Sequence, residues 1–284
     1  MRVTRRNTER EHYFAGEVAQ CCGIHDLQGL LLNENWEPTA AIEAYELSEA
    51  LGNRLLTEFV IPADELYVKC VFAEWVGVPL YLLTCTQGQR GVVVHEFQAD
   101  HSRKIPRCVS EEGKSEAAFV AWWRERKQTI QTKAYRRDLS GRIAGSYFDM
   151  VLEAQGEKWG GNIDGYLVDW SSGDVDIRGI VENRFTNKTP LNNYDPQRYF
   201  SYGGGDYYTW LPLFDLHERM GIPLFLATYS TRYGETHSAG LTVVESLNQN
   251  GITYMRDRFG RQIFPYRNIM SDAGTIDDWF QDNT

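Results

Sequence analysis

The sequence is poor in cysteine and lacks the paired spacing that zinc sites use. Its five cysteines are an odd number and include no C-x2-C pair. This pattern argues against a disulfide framework and a zinc ribbon, and it predicts reduced, mostly buried thiols. Cys21, Cys22 and His25 form one group of zinc-ligand residue types, but no second pair follows them along the chain.

Long apolar runs are also missing. No stretch approaches the roughly 20 apolar residues of a membrane-spanning helix. Residues 1–14 carry basic side chains without the apolar centre of a secretory signal. We therefore expect a cytoplasmic protein with no membrane partner. A hydrophobic fraction of 42% and an aromatic fraction of 13% are typical of a folded chain rather than a disordered one.

Several catalytic motifs are absent. The sequence contains no G-x-x-x-x-G-K-[ST] phosphate loop, no G-x-S-x-G elbow and no H-E-x-x-H helix. These absences argue against a P-loop nucleotide hydrolase, an α/β-hydrolase and a zinc protease of that type. Basic residues are in deficit as well, since the formal net charge is −10 and the excess of acids lies mainly after residue 137.

Two acidic residues, in contrast, interrupt apolar stretches of strand length. Asp164 lies in the first stretch and Glu182 in the second, with a Ser-Ser-Gly-Asp turn between them. A hairpin turning about Gly173 sets the two acids directly opposite each other, with Cβ atoms about 4.5–5.5 Å apart. They are either surface acids of an edge strand or ligands of a hard divalent metal. Period-two alternation points Arg184 to the same face as Glu182.

The run Gly160–Gly165, followed by Ile180–Arg184, resembles the metal-binding hairpin of the PD-(D/E)XK superfamily of nucleases and restriction-endonuclease-like proteins. The similar stretch covers roughly residues 138–232. The resemblance implies a mixed sheet flanked by helices, and cleavage of DNA or, less often, RNA with magnesium. Two positions depart from the pattern, since Ile163 stands where the family has proline and Arg184 where it has lysine.

The resemblance also implies roles for individual residues. Asp164, Glu182 and the Asn183 carbonyl become ligands of Mg²⁺, for which Mn²⁺ can substitute. Arg184 becomes the catalytic cation, although a guanidinium with a pKa above about 12 is a poor proton donor or acceptor. Glu153 is the candidate for a further catalytic acid on the preceding helix. Asp149 competes for that role, and an ordinary exposed helix glutamate is the alternative interpretation of Glu153.

The surrounding patterns fit the order helix, β-hairpin, helix, strand. Apolar residues at helical spacing predict a helix over Ser140–Gln155, with Ser140 as its N-cap. A second amphipathic helix is predicted over Asp206–Met220. Ile222–Tyr229 is a continuous apolar run, typical of a buried strand parallel to the strand of Glu182. We therefore predict an α/β fold with a restriction-endonuclease-like core.

Two domains are predicted, an N-terminal α+β domain over residues 1–115 and the nuclease domain over residues 116–284. The N-terminal domain carries no motif and is assigned to recognition or oligomerisation. The segments Gly77–Thr84 and Gly221–Thr228 are similar, but short buried strands converge easily, so no internal repeat is predicted. Further elements are predicted as a helix over Ala40–Leu51, an antiparallel meander of strands over Leu66–Trp75, Val78–Thr86 and Gly91–Phe97, and a helix over Ser115–Lys127.

One basic segment precedes the hairpin. It is either a nucleic-acid contact that binds phosphates in a salt-dependent way or a solvated helix face. Its members are Arg124, Arg126, Lys127, Lys133, Arg136, Arg137 and Arg142.

The sequence thus predicts a metal-dependent endodeoxyribonuclease that acts on double-stranded DNA. Cutting both strands requires two sites, so a homodimer or higher homo-oligomer is expected. The resemblance implies a type II restriction or phage-defence role. Two alternatives stay open, namely an inactive DNA-binding or scaffold protein with the same fold, and an RNA-directed nuclease.

Overall fold

The computed structural model describes most of the chain, namely residues 1–5, 22–52, 54–128, 146–186, 190–193, 206–230, 238–248, 251–254, 262–265 and 269–284. The chain forms two units, one of Met1–Asn7 with Leu27–Asn162 and one of Thr8–Asp26 with Ile163–Thr284. The domain boundary predicted at residues 115–116 lies inside the first unit. Across the described part of the chain, no helix is long and apolar enough to cross a membrane.

The first unit is a mixed sheet with helices packed against it. Its strands lie in the order β2-β3-β4-β5-β6, and β1 pairs with the end of β3. The β3–β4 contact is parallel, and the other pairs are antiparallel. Its elements are β1 (Val3–Arg5), β2 (Ile24–Leu32), β3 (Pro38–Leu47), α1 (Leu56–Phe59), α2 (Ala63–Val76), β4 (Leu80–Thr86), β5 (Val92–Asp100), β6 (Ile105–Lys114), α3 (Glu116–Arg126) and α4 (Tyr147–Glu153).

Two predictions for this unit are wrong. Residues 40–51, predicted as a helix, lie largely in strand β3, and residues 66–75, predicted as a strand, lie within helix α2. The alanines of β3 favour a helix, but the strand is buried on both faces and packing outweighs propensity. Helix α2 is also buried on most sides, so its sequence shows no amphipathic period. Its visible signals are Asp64 and Glu65 in the first turn and Gly77, at φ 84°, after the last.

Other predictions for the first unit are confirmed. Strands β4 and β5 are antiparallel neighbours, and helix α3 begins after Ser115, whose side chain accepts a hydrogen bond from the Ala118 N–H. Along the chain, helix α2 lies between β3 and β4, and it contacts β4, β5 and β6. Because this crossover makes β3 and β4 parallel, the predicted meander is not continuous. The opposite face holds an aromatic cluster of Phe119, Trp122, Trp123, Phe148 and Trp159.

The second unit is again a mixed sheet with helices. Its strands lie in the order β7-β8-β9-β10-β11, with β12 also paired to β10. The β8–β9 contact is parallel and the others are antiparallel. Its elements are β7 (Gly161–Asp169), β8 (Asp176–Thr186), a 3-10 turn (Leu191–Asn193), α5 (Asp206–Met220), β9 (Leu224–Ser230), β10 (Ser238–Asn248), β11 (Gly251–Tyr254), β12 (Gln262–Pro265) and α6 (Ile269–Asp282).

The structure confirms the predicted hairpin, the helix over Asp206–Met220 and the parallel strand that follows it. The helix predicted over residues 140–155 is helical at α4, where Ser146 caps the first turn by accepting a hydrogen bond from the Asp149 N–H. The N-cap predicted at Ser140 lies outside the described residues. The protein is therefore mixed α/β, with a large mixed sheet flanked by a few helices.

Candidate functional site

Hairpin β7–β8 brings Asp164 and Glu182 to opposing positions. Gly165 faces Val181 and Tyr166 faces Ile180, which is the register expected from a turn about Gly173. A bulge near the turn, beyond Leu167, leaves this end of the hairpin unchanged. The next step of the same register sets Asp164 opposite Glu182. The prediction of a facing acid pair is confirmed, and we refer to Asp164 and Glu182 as the carboxyl pair.

The two side chains lie close enough for Glu182 to lower the pKa of Asp164. Burial raises the pKa of Asp164 to about 6, and the negative charge of Asp26 adds to the rise. The Asn183 N–H, which donates to Asp164 Oδ2 at 2.9 Å, and the charge of Arg184 act in the opposite direction. Burial therefore disfavours a free negative charge on Asp164, at a position where a cation could balance it.

Arg184 lies on the same face as the carboxyl pair, as predicted. Its Nη2 is 3.1 Å from Glu182 Oε1, and its side chain keeps 23% of its surface exposed while that of Glu182 keeps 6%. The guanidinium lies over the ring of Trp210 in helix α5, 5.3 Å from the ring centroid. A cation stacked in this way is held in place and still reaches solvent. Trp210 lies in the helix predicted over Asp206–Met220, and its contact with the arginine was not predicted from the sequence.

The backbone of Asn183 is directed toward Asp164. The Ile180 N–H donates to Pro223 O at 3.0 Å, so the even-numbered residues of this part of β8 direct their backbone groups toward β9. Asn183 has the opposite parity, and its N–H binds Asp164. Because the N–H and C=O of one strand residue face the same neighbour, the Asn183 carbonyl also faces the β7 side. Its predicted role as an oxygen ligand is compatible with this geometry.

No family model, curated protein or solved structure matches this chain. The assignment of a function therefore rests on the geometry of the site. Two carboxylates and one carbonyl oxygen are hard donors of the kind that Mg²⁺ prefers, and Mg²⁺ usually keeps several waters as further ligands. Within the described residues, no group of three or more His, Cys, Asp or Glu side chains is arranged to hold a metal. The donor set fits a divalent cation whose remaining ligands come from water and substrate.

Glu153 belongs to a different part of the chain. It is the last residue of α4, in the first unit, and its side chain is exposed. Asp149, its competitor, is nearly buried and accepts a hydrogen bond from Ser146 Oγ at 2.8 Å, so it takes part in capping the helix. The role of Glu153 as a further acid stays a prediction.

Three members of the basic segment lie within the described residues. Arg124 Nε is 2.7 Å from Glu157 Oε1 and stays half exposed. Arg126 lies over the rings of Trp122 and Tyr81, at 4.4 and 5.1 Å from their centroids. Lys127 is buried, and this burial lowers the pKa of its ammonium. Lys133, Arg136, Arg137 and Arg142 lie outside the described residues, so nucleic-acid contact by this segment stays a prediction.

Sequence reasoning missed a second charged group, in the first unit, which we call the Glu43 cluster. It consists of the carboxylate of Glu43 and the side chains of Arg5, Gln28, Tyr45 and Lys69. Glu43 and Lys69 are fully buried, with Nζ and Oε1 3.1 Å apart. A charged residue in the apolar run Ala40–Ala44 was the available signal, and it was obscured because that run was predicted to be a helix with an exposed face.

The Glu43 carboxylate accepts hydrogen bonds from every member of its cluster. Arg5 Nη2 lies 3.1 Å from Oε2, Gln28 Nε2 3.0 Å and the Tyr45 hydroxyl 3.1 Å from the same oxygen. Burial, followed by the charge of Glu43, raises the pKa of Tyr45 well above its usual value, so the phenol stays protonated and donates. The buried charge of Glu43 is therefore surrounded by two cations and two neutral donors, and Lys69 also pairs with the partly exposed Glu65 at 3.5 Å.

Proposed function

We propose that the protein is a metal-dependent endonuclease that hydrolyses DNA phosphodiester bonds at the carboxyl pair. The observation that carries the proposal is the facing placement of Asp164 and Glu182, with Arg184 Nη2 3.1 Å from Glu182 Oε1 on the same face. Two acids held this close together repel each other when both are ionised, and a divalent cation bound between them relieves that repulsion. The hairpin resemblance favours the same chemistry.

The residues of the site divide the work as follows. Asp164, Glu182 and the Asn183 carbonyl hold the cation. When bound, Mg²⁺ lowers the pKa of a coordinated water and neutralises charge on the phosphate. Arg184, fixed between Glu182 and Trp210, presents positive charge to a phosphate oxygen. A guanidinium stays protonated at every working pH, so Arg184 stabilises charge and leaves proton transfer to water.

The substrate and assembly follow from the chemistry of the bond. The described part of each chain holds one carboxyl pair, and cutting both strands of a duplex takes two, so we propose a homodimer acting on double-stranded DNA. A type II restriction or phage-defence role belongs to the proposal through the hairpin resemblance alone. With a net charge of −10, binding depends on local basic groups, and we expect it to weaken steeply with salt.

A non-catalytic DNA-binding or scaffold protein is the second candidate. The observation that favours it is the ion pair between Arg184 and Glu182, because an arginine that already neutralises a carboxylate lessens its need for a metal. Metal binding separates the two candidates. An inactive protein of this kind would leave the carboxyl pair protonated in millimolar Mg²⁺ or Mn²⁺.

The test is cleavage of supercoiled plasmid by purified protein in Mg²⁺ or Mn²⁺, with EDTA as a control. Glu182→Gln keeps the size of the side chain and removes its charge. The matched control is Glu112→Gln, which changes an exposed glutamate of β6 that pairs with Lys114. We expect metal-dependent cutting by the wild type and by Glu112→Gln, and none by Glu182→Gln.

Other outcomes redirect the proposal. Cutting that Glu182→Gln retains would show that the carboxyl pair is not the active site. Cleavage of single-stranded or structured RNA under the same conditions, with intact plasmid, would replace DNA by RNA as the substrate. Bound Mn²⁺ without cleavage of either polymer would favour the non-catalytic candidate.

A further inference from the structure

The two units have the same order of elements. In the first, hairpin β2–β3 is followed by helix α2, by β4 parallel to β3, and by β5 and β6, each antiparallel to the strand before it. In the second, hairpin β7–β8 is followed by helix α5, by β9 parallel to β8, and by β10 and β11 in the same antiparallel sequence. A helix, α3 or α6, comes after each set.

The hairpins also match in register. Gly29 faces Ile42 in the first unit, and Gly165 faces Val181 in the second. A Cβ atom added to either glycine would lie 3.1 Å from the Cβ atom of the facing residue. Within each hairpin, the two strands therefore approach each other equally closely at equivalent positions.

The acidic residues occupy equivalent places in this register. Gln28 precedes the first glycine as Asp164 precedes the second. Glu43 follows the facing residue in β3 as Glu182 does in β8. Both glutamates pair with the third residue of the adjacent parallel strand. Position for position, the amide of Gln28 stands where the second unit has a carboxyl group.

The turn before the parallel strand repeats as well. The helices end at Gly77 and Gly221, with φ of 84° and 67°. The prolines two residues later accept hydrogen bonds of 2.9 and 3.0 Å from the amides that lie two residues before each glutamate. The likeness of residues 77–84 and 221–228 therefore reflects equivalent positions, and the prediction that the chain has no internal repeat is corrected on this point.

In each unit, the helix that follows the strands packs against the sheet in the same way. The helix that follows the strands inserts three large apolar side chains, at spacing i, i+3, i+4, into the sheet face opposite the crossover helix. These side chains belong to the core clusters of their units. They are Phe119, Trp122 and Trp123 in α3, and Ile276, Trp279 and Phe280 in α6.

We infer that the first unit is a second copy of the fold of the second, and that its Glu43 cluster is the counterpart of the carboxyl pair, with protein cations in place of a metal ion. The correspondence of positions stands by itself. The comparison with a metal ion rests on the proposed function.

The two clusters differ in how their charges are balanced. In the first unit Glu43 meets Lys69 and Arg5, and Glu65 also pairs with Lys69 at 3.5 Å. In the second, two facing acidic residues meet Arg184. Lys69 lies eight residues before the helix-ending glycine. The residue at that place in α5 is Leu213, which is buried and uncharged.

This difference decides where chemistry can occur. Glu43 and Lys69 are sealed from solvent, and their charges are satisfied within the protein. No phosphate or metal ion can reach that carboxylate without breaking a buried ion pair. The first unit is therefore a non-catalytic copy, and the described residues carry one site of this kind.

The first test converts the first unit into the second, using thermal unfolding in Mn²⁺ and in EDTA. The background is Asp164→Asn with Glu182→Gln, so that the second unit binds no metal. In that background we expect Mn²⁺ to leave the unfolding midpoint unchanged. Adding Gln28→Asp and Lys69→Leu recreates two carboxyl groups without the lysine, and we expect saturating Mn²⁺ to raise the midpoint by about 5 °C.

The reciprocal test does not involve a metal. Leu213→Lys places an ammonium where the first unit has Lys69, and equivalence of position predicts that it pairs with Glu182. We expect Leu213→Lys to unfold at a lower temperature when combined with Glu182→Gln than when alone. This variant keeps the inference testable if the converted first unit does not fold.

The outcomes are distinct from those of the proposed function. A Mn²⁺ shift in the background protein that Glu43→Gln removes would overturn the inference, because the first unit would then bind metal itself. Equal unfolding temperatures for Leu213→Lys with and without Glu182→Gln would also overturn it, as would a folded converted unit that ignores Mn²⁺. A wild-type protein that does not cleave plasmid would contradict the nuclease proposal. The reciprocal test would be unaffected, because it involves no metal and no cleavage.

Discussion

The Glu43 cluster and the carboxyl pair occupy equivalent places in their units and differ in what balances their charge. Glu43 is enclosed by Arg5 and Lys69, whereas Asp164 and Glu182 face each other beside one arginine. Buried charge is tolerated when partners satisfy it, so the first cluster is a finished structural element. The second is incomplete without a proton or a cation. The difference teaches that the same strand register supports either a stabilising ion pair or a reactive site.

The largest contrast concerns cleavage. We expect Asp164→Asn and Glu182→Gln each to lower the single-turnover rate on plasmid by at least about a thousandfold, because several kcal/mol of metal-assisted stabilisation is lost. The double substitution Glu43→Gln with Lys69→Met should leave the rate within about threefold, because it removes both members of the buried pair and changes no residue of the carboxyl pair. A similar loss of rate in both sets of variants would end the distinction between the two clusters.

Removing one partner of the buried pair should strongly affect stability. Lys69→Met leaves Glu43 with Arg5 alone as its cation, and we expect the free energy of unfolding to fall by about 3 kcal/mol, the lower end of the range for a broken buried pair. Urea unfolding monitored by tryptophan fluorescence measures this change. Glu43→Gln added to Lys69→Met should recover most of the loss. An effect below about 1 kcal/mol would show that Lys69 does not balance Glu43.

The free energy of unfolding should depend on pH through the carboxyl pair. Burial raises the pKa of Asp164 to about 6, so between about pH 4 and pH 6 the folded state binds more protons than the unfolded state, and stability falls as the pH rises through that window. Asp164→Asn removes this loss and imitates the amide of Gln28. In EDTA we expect it to exceed the wild type by about 2 kcal/mol at pH 7.5, since partial exposure reduces the full linkage effect.

The pH control follows from the same linkage. At pH 4 the wild type and Asp164→Asn should unfold at nearly equal urea concentrations, because the carboxyl group is then protonated in the folded state. A stability gain that is the same at both pH values would assign the effect to packing instead of to the carboxyl charge. At pH 7.5, Mn²⁺ should reduce the difference in free energy of unfolding between the wild type and Asp164→Asn, because it stabilises the wild type alone.

The smallest expected effects test whether the two hairpins are equivalent. Gly29→Ala and Gly165→Ala each place a Cβ atom 3.1 Å from the facing side chain, and each also meets a second neighbour below 3.0 Å. We expect each substitution to lower the free energy of unfolding by about 1–3 kcal/mol through overpacking. Differential scanning calorimetry of the two variants should give shifts of similar size. A large cost at one glycine and none at the other would contradict equal packing.

Prediction from sequence succeeded where a local signal is strong. The turn about Gly173 fixed the register of Asp164 and Glu182, and the amphipathic period fixed the helix over Asp206–Met220. It failed in the first unit, where β3 and α2 are buried on most sides and carry no period that separates strand from helix. Because β3 was predicted as a helix and α2 as a strand, the counterpart of the carboxyl pair was not visible in the sequence.

The sequence by itself determined the carboxyl pair, because a hairpin register follows from a turn and two short strands that are neighbours along the chain. It also placed Arg184 on their face, since side chains alternate along a strand. Only the tertiary structure decided how the charges are balanced. Glu43 lies in strand β3, and its partners Lys69 and Arg5 come from helix α2 and strand β1. Trp210, which contacts Arg184, belongs to a helix more than twenty residues further along the chain. Such contacts depend on how elements pack, and packing joins residues whose separation in sequence carries no local signal.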